Sequence, residues 1–125
     1  MRKDSLLTTH DHITREELKN LPLLVSEQDL AAGNQSPYNV WLHQSFEKLN
    51  IVATYNLIFN AALMVREGMG YALTLDTLVS TGPESPLCFK PLFPKLEAHV
   101  YFVWRKYQIF SPAAKLFLEH MQQKY

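Results

Sequence analysis

The chain of 125 residues sets twelve Lys and Arg against twelve Asp and Glu, a formal net charge of zero with neutral histidines. Its basic residues are scattered rather than gathered into a stripe, which argues against the chain alone holding DNA or RNA, and 47% hydrophobic with 19% charged residues is the composition of a folded domain, not of a disordered tract. A lone cysteine, Cys88, leaves no internal disulfide or thiolate metal cage. With no signal-peptide core at the N-terminus and no apolar run of membrane length, the expectation is one cytoplasmic domain with no membrane contact.

In chain order, "ITREELKNL" opens with Thr14 as N-cap and Glu17 three residues on, a capping-box pattern that predicts a short helix limited by Pro22. "PLLVS" (22–26) is a brief apolar run and reads as a buried strand, and "EQDLAAGNQSP" carries the Gly, Asn, Ser and Pro of a loop. A helix is expected from Ser36-Pro37 through "YNVWLHQSFEKL", where Trp41, Leu42, Phe46 and Leu49 recur at helical spacing. "NIVATY" (50–55) reads as a strand. "NLIFNAALMVREG" reads as a helix, with Asn56 as N-cap and Gly68 just past its end, and "YALTL" (71–75) as the next strand. After the break at Thr81 to Pro86, "LCFKPL" (87–92) and "LEAHVYFVWR" (96–105) read as strands, the second the longest in the chain. Ser111-Pro112 starts a terminal helix with Ala113, Leu116, Phe117 and Met121 on one face. Strands alternating with helices indicate an α/β sheet with parallel crossovers.

The pair Gly68-Met69-Gly70 raises the question of a phosphate-cradling loop. Such a loop follows a strand and precedes a helix, so that helix amides face the phosphate. Here the order is reversed, so a left-handed helix cap and a tight turn into a strand are the roles expected of the two glycines.

The same stretch, "ALMVREGMGYALTLD", resembles the helix, turn and strand of the effector-binding domain of LysR-type transcriptional regulators. "MRKDSLL" resembles the end of that family's crossover strand, and "ITREELKNLPLLVS" the short helix and first strand of its second subdomain. "LCFKPL" resembles the returning hinge strand, and "VYFVWRKYQIFSPAAKLFLEHMQ" the closing strand and C-terminal helix. The resemblance covers essentially the whole chain. It implies a periplasmic-binding-protein-like (type II) fold, a three-layer αβα sheet, holding one subdomain and the C-terminal part of the other. On that reading residues 1–12 are a crossover and hinge segment, 13–84 the second subdomain, and 85–125 the returning strand, closing strand and helix of the first. The family's winged helix-turn-helix and the first part of its effector domain have no counterpart here, and Leu6 stands where the family usually has proline. Met1 would then be internal to a longer regulator or the start of a truncated one.

The resemblance implies a small effector, often an anion such as a carboxylate, held between two subdomains. Ligands of open α/β sheets sit beyond the carboxyl ends of the strands, which here means Ser26, Gln28, Tyr55, Asn56 and Thr74. Simple capping by Asn56 and a solvated loop at Ser26 and Gln28 are the alternatives. Arg2, Lys3, Lys90 and Pro91 fall on the implied hinge strands. His10-Asp11-His12 lacks a third ligand and reads as a polar linker, and His43, His99 and His120 form no set. No nucleophile elbow supports an enzyme, no cofactor is implied, and Cys88, Trp41, Trp104, Phe102 and Phe117 read as core. The resemblance therefore implies an effector-sensing part of a homo-oligomeric regulator, touching DNA only through a separate N-terminal domain. A stand-alone solute-binding protein, a small enzyme and a self-associating interaction fragment are the rival readings.

Overall fold

The computed structural model describes residues 1–99 and 101–124. Its centre is set by a short apolar run. Leu23, Leu24 and Val25 are all 0% exposed, and a run buried on both faces is what the middle strand of a covered parallel sheet requires. That strand, β2 (Leu23–Ser26), pairs in parallel with β3 (Ile51–Tyr55) on one side and β4 (Tyr71–Ala72) on the other. Leu23 and Val25 point into a cluster with Leu18, Trp41, Leu42, Phe46 and Leu49. Leu24 points the other way, against Ala61, Val65 and Leu87. Helices thus cover both faces: α1 (Arg15–Lys19) and α3 (Pro37–Leu42) one, α4 (Ile58–Arg66) the other. A second, two-stranded parallel ladder joins β1 (Ile13–Thr14) to β5 (Leu92–Phe93).

The capping box forms as its spacing predicts. Thr14 Oγ1 accepts the Glu17 amide at 3.3 Å, and Glu17 Oε2 accepts the Thr14 amide at 2.8 Å. Hydrogen bonds from Thr14, side chain first and then backbone, hold the Glu17 carboxyl below its ordinary range, and His10 adds to them at 2.6 Å. A carboxyl depressed by folding stabilises above its unfolded pKa, and that stability is lost as pH falls through the lower folded value. Thr14→Ala is expected to cost about 1 kcal/mol in denaturant unfolding, and to return the Glu17 carboxyl toward 4.5 in an NMR titration.

Three expectations between Ser26 and Leu57 are corrected. The stretch read as a loop after Ser26 contains α2 (Glu27–Ala31), because Ser26 Oγ accepts the Gln28 amide and caps a turn that the later Gly and Asn had masked. The helix from Pro37 stops at Leu42 instead of running to Leu49. His43 turns left-handed (φ 55°), and Phe46–Lys48 form a separate 3-10 turn whose Phe46 amide donates to Asn39 Oδ1. Apolar residues at helical spacing continue across that break because both pieces pack on the same core. Finally, Asn56 is not the cap of α4. Leu57 holds that position, with no side-chain cap bond.

At the far end of α4 the Gly68 amide bonds Val65 O at 3.0 Å and the Met69 amide bonds Met64 O at 3.1 Å, a Schellman closure with Gly68 at φ 84°. The chain then enters β4, which is shorter than the run 71–75, and the glycines have the structural roles their order predicts.

"LCFKPL" is not one strand. Its start pairs antiparallel with the N-terminus (Arg2 opposite Leu87, Lys3 N to Pro86 O 2.8 Å, Cys88 N to Met1 O 2.8 Å), and its end joins β5. Residues 96–99 and 101–105 form no strand; Val100 of that expected strand lies outside the described residues. The apolar content that marks this run meets no sheet among the described residues, and Tyr101, Val103 and Trp104 stand exposed. Helix α5 (Pro112–Lys124) does start at Ser111, whose Oγ accepts the Ala114 amide at 3.3 Å, yet its apolar face is uncovered. Leu116 and Phe117 are exposed, Phe117 meeting Phe102 edge-on at 5.8 Å. Phe102, Trp104 and Phe117 are therefore surface residues rather than core, and Cys88 is half-buried at the paired N-terminal segment.

Candidate functional site

Parallel strands in one sheet end on the same side, and here Ser26 ends β2, Tyr55 ends β3, and Thr74 follows β4 by two residues. An open cleft of about 730 Å³ takes in those ends, and its lining also reaches Met1, Leu18, Leu21 and Val65. Ser26, Gln28, Tyr55, Asn56 and Thr74 all line it, and Lys90 and Pro91 face it from the segment leading to β5. The structure does not bring Arg2 and Lys3 to this cleft. Arg2 pairs with Asp4 and reaches Arg66 O at 3.4 Å, while Lys3 Nζ bonds Gly82 O at 2.7 Å and Pro83 O at 3.0 Å.

Two of the expected residues are partly committed. Ser26 Oγ is used in capping α2, and the Tyr55 hydroxyl donates to Leu73 O. Asn56 is exposed at the entrance of α4, where no side chain caps the first turn, so its amide group is not consumed by the helix. The 3-10 turn, α3 and α2 supply residues that pattern reading missed. Tyr38, stacked on the buried Phe46 ring at 4.8 Å, and Asp29 of α2 both line the cleft. Tyr38 gives no signal in the sequence beyond its place in a helix, and Asp29 was hidden in a stretch read as loop.

The electrostatics of this wall are uneven. Burial pushes the Asp29 carboxyl above its ordinary value. Burial also raises the Tyr38 phenol, helped by the charge of Asp29, and raises Tyr55, where the Thr74 hydroxyl opposes the shift and Asp29 adds to it. Elsewhere on the lining, Lys95 and Glu97 hold each other at 2.5 Å, and Asp76 accepts its neighbour's amide, Thr77 N, at 2.7 Å. Asp29 and Lys90 make neither an ion pair nor a side-chain hydrogen bond among the described residues. His10 is engaged by Glu17, and no three metal-ligating side chains gather among the described residues.

A mixed α/β unit with parallel strands and a polar-mouthed cleft at their carboxyl ends is the architecture of a ligand-binding domain. The family model for the LysR substrate binding domain matches residues 1–125, and the chain belongs to that family, the effector-binding part of LysR-type transcriptional regulators. Its fold is the type II periplasmic-binding-protein-like class, with the helix–sheet–helix layering described above. An uncharacterized HTH-type transcriptional regulator of Bacillus subtilis (strain 168), YvbU, is 28% identical over 120 residues, covering 95% of this chain and 40% of that protein. The chain thus spans well under half the length of this relative. No solved structure matches it. No helix among the described residues is long and apolar enough to cross a membrane.

Proposed function

We propose that this chain is a non-catalytic effector-sensing segment of a cytoplasmic transcriptional regulator, and that its cleft takes a small metabolite carrying a carboxylate. The observation that carries this reading is the gathering of Ser26, Gln28, Tyr55, Asn56 and Thr74 at the ends of three parallel strands, on a cleft that Lys90, without an ion pair among the described residues, also lines. The first turn of α4, which opens at the cleft beside Asn56 without a side-chain cap, adds amides suited to an anion. Family membership supports sensing over catalysis and over the rival solute-carrier reading.

In this reading the segments Met1–Lys3 and Pro86–Pro91, paired through the Arg2 and Leu87 bridge, act as the hinge. Ligand binding favours one closure angle there, and the shift is passed to a DNA-binding domain elsewhere in the regulator. The exposed Tyr101, Phe102, Val103, Trp104, Tyr107 and Ile109, with Leu116 and Phe117 of α5, support self-association of the regulator.

The test is calorimetric titration of the chain with a set of small carboxylates. A binder should lose about tenfold in affinity on Lys90→Ala or Asn56→Ala, the scale of one hydrogen bond to a charged group. Binding that neither substitution weakens would place the ligand elsewhere and sink the cleft assignment.

A further inference from the structure

Asp29 is the group in this cleft that the sensing reading leaves without a task. It stands three residues after the cap Ser26, the position from which Glu17 reaches back to its own cap at Thr14. Asp29 makes no such bond, so helix capping does not account for it. It is half-buried on the cleft wall, and no donor meets it among the described residues. A carboxylate taken partly out of water without a donor is a cost to the free protein. The two hydroxyls nearest in charge, Tyr38 and Tyr55, do not relieve that cost. Tyr55 gives its proton to Leu73 O, and Tyr38 makes no hydrogen bond to Asp29 among the described residues. Farther along the lining Lys95 pairs with Glu97, and Asp76, which stands exposed in water, accepts its neighbour's amide. Among the described residues the lining thus holds Asp29, a half-buried carboxylate that no donor meets, and Lys90, a half-buried base without an ion pair, on a single cleft whose other walls are largely apolar.

We propose that the ligand carries a protonated amine as well as its acid group, the amine binding the Asp29 carboxylate beside Tyr38 and Tyr55 and the acid group meeting Lys90. The site is then one for a zwitterion of amino-acid type. An ammonium supplies the donors that Asp29 lacks, and the flanking aromatic rings suit a cation. This assignment rests on the sensing reading and narrows it.

The test uses this chain and three matched sets of probes: the proteinogenic amino acids, the amines left by decarboxylating them, and the acids left by deaminating them. Thermal shift finds the binders and calorimetry ranks them. The expected result is that at least one amino acid binds about tenfold or more tightly than its deaminated acid, and that Asp29→Asn removes the difference while Asp29→Glu keeps part of it. The unliganded Asp29→Asn chain should melt no lower than the parent at neutral pH, since the change removes an unsatisfied charge. Deaminated acids that bind as tightly as the amino acids would overturn the amine assignment and leave the sensing reading standing. Binding by none of the three sets would overturn both. A lower melting point for free Asp29→Asn would give the carboxylate a structural role and also defeat the proposal.

Discussion

Replacing Gly70 with alanine is expected to cost about 3 kcal/mol and to lower the melting temperature by roughly 10 °C, although it adds a single methyl group. A Cβ at this position would lie 2.3 Å from Pro22 O and 3.0 Å from Leu24 Cδ1. The first of these atoms is backbone and accepts the Tyr71 amide at 2.9 Å, so it cannot move aside without breaking the bond that starts the β2–β4 pairing. Relief must come from separating β4 from the central strand, and β4 is only two residues long. Gly68→Ala makes the comparison informative. There the obstacle is the flexible end of Arg2, 3.3 Å away, and the cost is the left-handed backbone at φ 84°, about 1 kcal/mol. Urea unfolding of the two variants should separate them clearly. Equal losses would mean that the close approach to Pro22 is not what holds this turn.

Phe46→Ala should be more damaging still, by about 4 kcal/mol in the same measurement, with Phe46→Leu losing only about 1 kcal/mol. Phe46 is among the largest fully buried side chains. It fills the space between the central strand and α3, and its ring carries Tyr38 at 4.8 Å with the planes 12° apart. Truncation leaves a cavity beneath a residue of the cleft wall, so the effect extends past stability. The Tyr38 ring loses its support, and the affinity of any cleft ligand should fall even in conditions where the variant stays folded. Circular dichroism melting and calorimetry on Phe46→Leu test the two effects apart. Affinity unchanged in a variant with measurably lower stability would show that Tyr38 is positioned by something else.

What the sequence determined by itself is local chemistry and period. The Thr14–Glu17 box, the Ser111-Pro112 start, the Gly68 stop and the burial of Leu23 to Val25 follow from groups within a few residues of one another, so the chain's own order contains the reason for each. The positions beyond the strand ends were legible for the same cause: once the strands are parallel, Ser26, Tyr55 and Thr74 must open on one side. Only the tertiary structure decided the rest. That the apolar spacing from Trp41 to Leu49 spans two elements, that Asn56 leaves the cap to Leu57, and that Asp29 and Tyr38 join the cleft all depend on which surface each segment packs against. The clearest case is the run 96–105. Its β-branched and aromatic residues promise a strand, but strand preference is largely a preference for a pleated, half-buried neighbour. Without that neighbour among the described residues, the backbone has no ladder to join and the side chains stay in solvent.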